Sequence, residues 1–135
     1  MKIVQLNEEQ AEEIENRLDS FDRDFIRYKI DGSIRLGIEE DGKLIAGLDA
    51  CMTAFRILYV STVFVDEEYR RKGIGKRLMR EMEKQAKAMG ADMIRLDTFD
   101  WQGKEFYETL GYEAVGHYRN QDENYAEYFF LKRLK

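Results

Sequence analysis

The stretch with the most evident chemistry is Val63-Phe64-Val65-Asp66-Glu67-Glu68-Tyr69-Arg70-Arg71-Lys72-Gly73-Ile74-Gly75-Lys76-Arg77-Leu78, an apolar β-type run passing through a charged turn into a helix start. Two glycines separated by one residue let the main chain approach a ligand closely, and the first-turn N–H groups of a helix lack intrahelical partners. The helix dipole adds roughly half a positive charge there, and Arg70, Arg71, Lys72, Lys76 and Arg77 surround it with full charges. These residue types in this order make a cradle for a phosphate or pyrophosphate.

Two familiar glycine loops do not fit. A P-loop needs four residues between its glycines and Ser or Thr after the Lys, whereas Lys76 is followed by Arg77. A dinucleotide fingerprint needs a third glycine where Leu78 stands. The remaining pattern, Arg70-x-x-Gly73-x-Gly75 after an apolar strand, resembles the coenzyme A pyrophosphate loop of the GNAT acetyltransferase superfamily. Phe106-Tyr107-Glu108-Thr109-Leu110-Gly111-Tyr112 is similar to that family's Tyr-x-x-x-Gly-aromatic segment.

The resemblance implies acetyl-CoA as cofactor. It also implies that Val63, Phe64 and Val65 present backbone groups to the pantetheine arm, that Arg70, Arg71, Lys72, Gly73, Ile74, Gly75 and Lys76 hold the pyrophosphate, and that Tyr107 faces the coenzyme sulfur. The sequence departs from the family at Asp100, where Asn is common, at Gly103, where Ala is common, and at Glu67, where Pro is common. Asp100 is expected to cap the following helix rather than touch a cofactor.

The elements that must position these residues follow from periodicity and punctuation. Lys2 to Leu6 reads as a first strand, and Asn7-x-x-Gln10 as a capping box opening a helix to about Ser20 whose apolar face is Ala11, Ile14 and Leu18. Phe21, Phe25 and Tyr28 suggest a second short helix. Ile34–Glu39 and Leu44–Met52 form a hairpin about Asp41-Gly42, and another strand runs from Arg56 to Val65. Ile74, Leu78, Met79, Met82, Ala86 and Met89 stripe one face of the helix that ends at Gly90.

Met93–Phe99 is then a strand which, after a whole helix, runs parallel to the Val65 strand. A helix from Gln102 to Leu110 and strands near Tyr112–Tyr118 and Tyr125–Lys132 close the chain. This order resembles the whole GNAT fold. The implied class is α/β (α+β): a mixed, mostly antiparallel sheet of six to seven strands flanked by about four helices, with its two central strands parallel and splayed, in a single domain over residues 1–135.

Composition narrows the classes of function. With 135 residues, 44% apolar and 36% charged, the chain can bury one core without a disulfide or metal staple. One cysteine and one histidine make a zinc site improbable. No apolar run is long enough to span a membrane and the N-terminus has no signal-peptide pattern, so a cytoplasmic protein with no membrane partner is expected. Residues 70–87 carry a local +6 within a chain of net −5, leaving about −11 elsewhere. That favours a compact polyanion at one patch over nucleic acid.

The implied reaction is acetyl transfer to a primary amine, on a small molecule or a protein, by direct attack in a ternary complex. An alkylamine of pKa near 10.4 is neutral in only about one molecule in 2,500 at pH 7, a penalty of roughly 4.6 kcal/mol, so a base or a desolvating pocket is needed. His117, Asp49 and Glu39 are each eligible, and Phe55, Tyr59, Phe99, Trp101 and Tyr118 could line an acceptor cleft. Cys51 reads as a small hydrophobe, not a nucleophile. A noncatalytic acyl-CoA-binding module is the alternative function, and homodimerisation is left open.

Overall fold

Asp41 and Gly42 take φ of 53° and 76°, the left-handed pair that a two-residue hairpin turn requires, and the turn joins β1 (Ser33–Glu40) to β2 (Lys43–Met52) as expected. The computed structural model describes residues 1–26 and 29–135. β2 pairs antiparallel with β3 (Ile57–Val65), which leads through a 3-10 turn at Glu67–Tyr69 into α2 (Ile74–Met89). β4 (Met93–Phe99), α3 (Lys104–Thr109), β5 (Glu113–Asn120) and β6 (Tyr125–Arg133) follow. The sheet order is β1-β2-β3-β4-β6-β5, antiparallel everywhere except between β3 and β4.

α2 carries its apolar stripe against the sheet. Leu78, Met79, Met82 and Ala86 are buried on Leu48, Ala50, Leu58 and Ile94. Gly90, at φ 99°, lets the helix stop, with its N–H and that of Ala91 reaching back to Lys87 and Ala86 carbonyls. α3 lies on the same face, with Tyr107 against Phe130 and Phe106 beside the start of α2. A partly buried ion pair ties the layers together: Lys132 donates to Glu83 at 3.1 Å and to the Leu110 carbonyl at 2.8 Å, and the Tyr112 hydroxyl donates to Glu83 at 2.8 Å.

The N-terminal quarter departs from the sequence-based reading. Asn7 does cap α1 (Glu8–Asp22) with a complete capping box. Lys2–Leu6, however, forms no strand and is exposed, and α1 buries none of its residues, so Ala11, Ile14 and Leu18 stay at the surface. Local signals specified the helix start, but pairing of the strand requires a neighbour that this arrangement does not bring to it. The expected second helix is replaced by turn residues 23–25, and its end at Tyr28 lies outside the described residues. The described residues thus hold three α-helices and six strands.

Candidate active site

The parallel strands β3 and β4 pair only from Ile57↔Met93 to Val60↔Leu96, after which both continue without each other. The gap between them opens a cleft of about 920 Å³ lined by β3, the loop before α2, β4 and α3. Its strand wall is chemically prepared. The Asp66 N–H donates to the Ile45 carbonyl, so by the alternation of an antiparallel ladder Phe64 bonds back to β2, while Val63 and Val65 turn their backbone groups toward the gap.

Val65 already uses its carbonyl, which accepts from Arg70 Nε at 2.8 Å. Arg70 is thereby held over the Phe64 ring, its guanidinium 5.3 Å from the centroid. The half-exposed Phe64 side chain lines the cleft, whereas its backbone faces away.

The loop from Arg70 to Lys76 wraps the cleft's end. Arg71 and Gly73 both sit at positive φ, 63° and 78°, an alternation that turns successive N–H groups to one side and makes an anion-binding nest continuous with the start of α2. Ile74, Gly75 and Lys76 add first-turn N–H groups with no intrahelical acceptor. The two glycines serve different ends. A Cβ on Gly73 would meet open space, so its requirement is conformational; one on Gly75 would lie 3.1 Å from Phe106, so its requirement is room for α3.

Tyr107 projects from α3 into the same cleft. Its ring is fixed by Phe106, Tyr112 and Phe130, with centroids 5.1, 6.0 and 6.2 Å away. Gly103 is explained here, because a Cβ would stand 3.2 Å from the Tyr107 ring. Burial pushes the phenol up to about 12. Among the described residues no group hydrogen-bonds its hydroxyl, which leaves that hydroxyl available to a ligand.

None of the three proposed bases reaches this cleft. His117 is exposed on β5 and stacks on Tyr128, Asp49 pairs with Arg35 at 3.3 Å, and Glu39 lies on the edge strand β1. The carboxylate that does line the cleft is Asp97, which accepts from the Tyr59 hydroxyl at 2.9 Å. That hydrogen bond is the main reason the Tyr59 phenol is raised. Alternation along Met93–Phe99 puts Asp97 on the face opposite α2, and the resemblance implied the splay, but no residue pattern marks that the strands part beside Asp97.

Asp100 caps no helix. Its Oδ2 accepts from the Ala126 N–H at 3.0 Å and its own N–H donates to the Ala126 carbonyl, tying the β4–α3 turn to β6. α3 starts at Gly103 without a side-chain cap. Of the five expected cleft aromatics, Trp101 lines the cleft and Tyr59 holds Asp97. Phe99 stacks behind Trp101 at 4.7 Å, and Tyr118 joins the cluster through Tyr125. Phe55 sits in the β2–β3 connection at φ 56°, outside the cleft. A further hollow of about 650 Å³ between β1 and α2 is lined by Leu36, Ile38, Arg77, Arg80 and Lys84 and contains neither Tyr107 nor a splay-facing strand.

Comparison with known proteins agrees with this geometry. The chain is 35% identical over 63 residues to an L-ornithine N5-acetyltransferase of Arabidopsis thaliana, covering 45% of this chain and 28% of that protein. It is 34% identical over 58 residues to a thialysine N-epsilon-acetyltransferase of Sus scrofa, covering 42% and 34%. The chain thus spans about a third or less of the curated relatives it matches. The crystal structure of an acetyltransferase from Bacillus cereus superposes with a TM-score of 0.92 at 28% identity, over 98% of this chain and 97% of that one. The model of the acetyltransferase (GNAT) family matches residues 2–112, and the chain belongs to that family.

Proposed function

We propose that residues 1–135 act as one domain that transfers an acetyl group from acetyl-CoA to a primary amine. The splay between β3 and β4 carries the reading: it puts an anion nest, a free phenol and a carboxylate along one continuous cleft. In that reading, the nest formed by Arg71 to Lys76 binds the pyrophosphate, with Arg70 bracing Val65. Val63 and the Val65 N–H bond the pantetheine arm. The coenzyme supplies a thioester whose carbonyl carbon is open to attack.

Tyr107 enters the cleft from the α3 side, whereas Asp97 lies exposed on the sheet face opposite α2 and α3, so the acceptor approaches from that face. Asp97, directly or through water, takes the proton that the amine must lose. As the C–N bond forms and the C–S bond breaks, the Val65 N–H stabilises charge on the acetyl oxygen, and the Tyr107 hydroxyl donates to the departing sulfur. A module that only bound acyl-CoA would have no use for a free phenol at that place.

The acceptor is inferred to be a small cationic amine. Asp97 and the exposed Trp101 suit an ammonium group through charge and cation–π attraction. The names of the two curated relatives point the same way, since ornithine and thialysine each carry a terminal primary amine. Release of free thiol from acetyl-CoA across a panel of diamines, basic amino acids and neutral amines tests this. Turnover with the cationic members is expected, and no thiol release with any amine would overturn the reading.

A further inference from the structure

We infer, resting on the reading of Asp97 as the group that takes the amine's proton, that Tyr59 is its positioning residue: the Tyr59 hydroxyl fixes one oxygen of the carboxylate and the Tyr59 ring keeps Arg95 from claiming the other. The last rung of the β3–β4 ladder is Val60↔Leu96, so Asp97 is the first β4 residue beyond it. Tyr59 stands one rung back, opposite Arg95, on the sheet face that Asp97 shares. From there its hydroxyl crosses diagonally to Asp97 Oδ2 at 2.9 Å, a span that an aromatic side chain makes between neighbouring strands.

An exposed aspartate on a strand has several rotamers open to it, and a base that must meet an amine in one geometry loses rate to each of the others. The Tyr59 bond selects one. It uses Oδ2 alone, and among the described residues nothing else hydrogen-bonds the carboxylate, so Oδ1 is left for the proton. The direction of the bond is fixed as well. The Tyr59 phenol is raised, chiefly by this bond, so over the neutral range the phenol is the donor and the carboxylate the acceptor.

Arg95 is the group able to spoil the arrangement. It lies two residues before Asp97 on the same strand face, within reach of an arginine side chain, and a guanidinium binds both oxygens of a carboxylate at once. Instead its guanidinium rests over the Tyr59 ring, 4.4 Å from the centroid, and among the described residues Asp97 makes no ion pair. One tyrosine thus acts through two parts, its hydroxyl on the base and its ring on the competing cation.

Steady-state kinetics on the intact chain, with the best amine of the thiol-release panel, tests this. Tyr59→Phe keeps the ring and the Arg95 stack, so kcat/KM for the amine should fall about tenfold, the size of one hydrogen bond to a charged group, while KM for acetyl-CoA stays parental. In an Asp97→Asn background the same change should cost nothing more, because no base is left to position. Tyr59→Leu removes the ring as well and releases Arg95, so it should lose more than Tyr59→Phe, and adding Arg95→Gln to it should return activity to the Tyr59→Phe level. A parental kcat/KM in Tyr59→Phe would overturn the inference. So would a further tenfold loss in the Asp97→Asn background, as expected of a merely structural tyrosine, or no recovery on adding Arg95→Gln. Parental activity in Asp97→Asn alone would overturn the reading of Asp97 as the base, and the inference with it, and is told apart because Tyr59 is unchanged in that variant.

Discussion

Tyr107 illustrates how far a single side chain's role depends on its surroundings. A phenol at about 12 cannot hand a proton outright to a thiolate near 8.5, because the transfer would run uphill by about 5 kcal/mol. In the proposed mechanism its contribution is therefore a hydrogen bond that strengthens as the sulfur gains charge. Tyr107→Phe should bind coenzyme A normally while kcat falls roughly 10- to 1,000-fold, and steady-state kinetics with the best acceptor checks it. The shift also has a sign for stability. The folded protein keeps the proton to about 12 whereas the unfolded chain releases it near 10, so this contribution is complete below about pH 10 and lost as pH rises toward 12. Over that window the parent should lose more stability than Tyr107→Phe.

That Tyr107 lines the cleft was legible from its motif, but Asp97's place there was not, because the role proposed for it depends on the gap beside it and not on neighbouring residues. If Asp97 is the base, Asp97→Asn must wait for amine that has already lost its proton. Its kcat/KM should fall about 100-fold near neutrality and recover about tenfold per pH unit toward the amine's pKa. A parental pH profile in that variant would remove Asp97 from the role.

The elements around the site show which interactions a linear pattern can report. The hairpin at Asp41-Gly42, the stripe of α2 and its Gly90 stop were readable because each is decided within one or two turns of chain. The parallel pairing of β3 with β4 followed from the intervening helix. The strand at Lys2–Leu6 was not realised because its pairing is a tertiary matter, and without a neighbouring strand among the described residues the β-type run stays outside the sheet and exposed. The glycine loop was readable as a motif, yet the reasons for its two glycines differ, and this can be tested. Gly73→Ala forces a side chain into left-handed φ, so neither loop shape nor coenzyme A binding should be restored by changes elsewhere. Gly75→Ala sets a Cβ against Phe106, so trimming the ring with Phe106→Leu should recover most of the lost coenzyme A-induced rise in melting temperature. Equal response of both glycine variants to Phe106→Leu would refute this division.

On the scale of the whole molecule, the charge distribution makes a prediction that no single contact can. The chain is net −5, so its average field repels a polyanion, while residues 70–87 carry a local +6 around the nest. Which field a ligand meets depends on the screening length, about 8 Å at physiological ionic strength, so a phosphate seated in the loop interacts chiefly with Arg71, Lys72 and Lys76 while the remote carboxylates are damped. Coenzyme A affinity should therefore fall as salt rises, since added ions first screen the attraction that acts at short range. Neutralising Lys72 and Lys76 together as Gln should weaken binding and flatten that dependence, leaving the backbone N–H groups and pantetheine contacts as the residual affinity. Isothermal titration over a series of salt concentrations distinguishes the alternatives. Binding that tightens with salt would mean that the acidic remainder of the chain governs the encounter, and the basic loop would then be only a solvated surface.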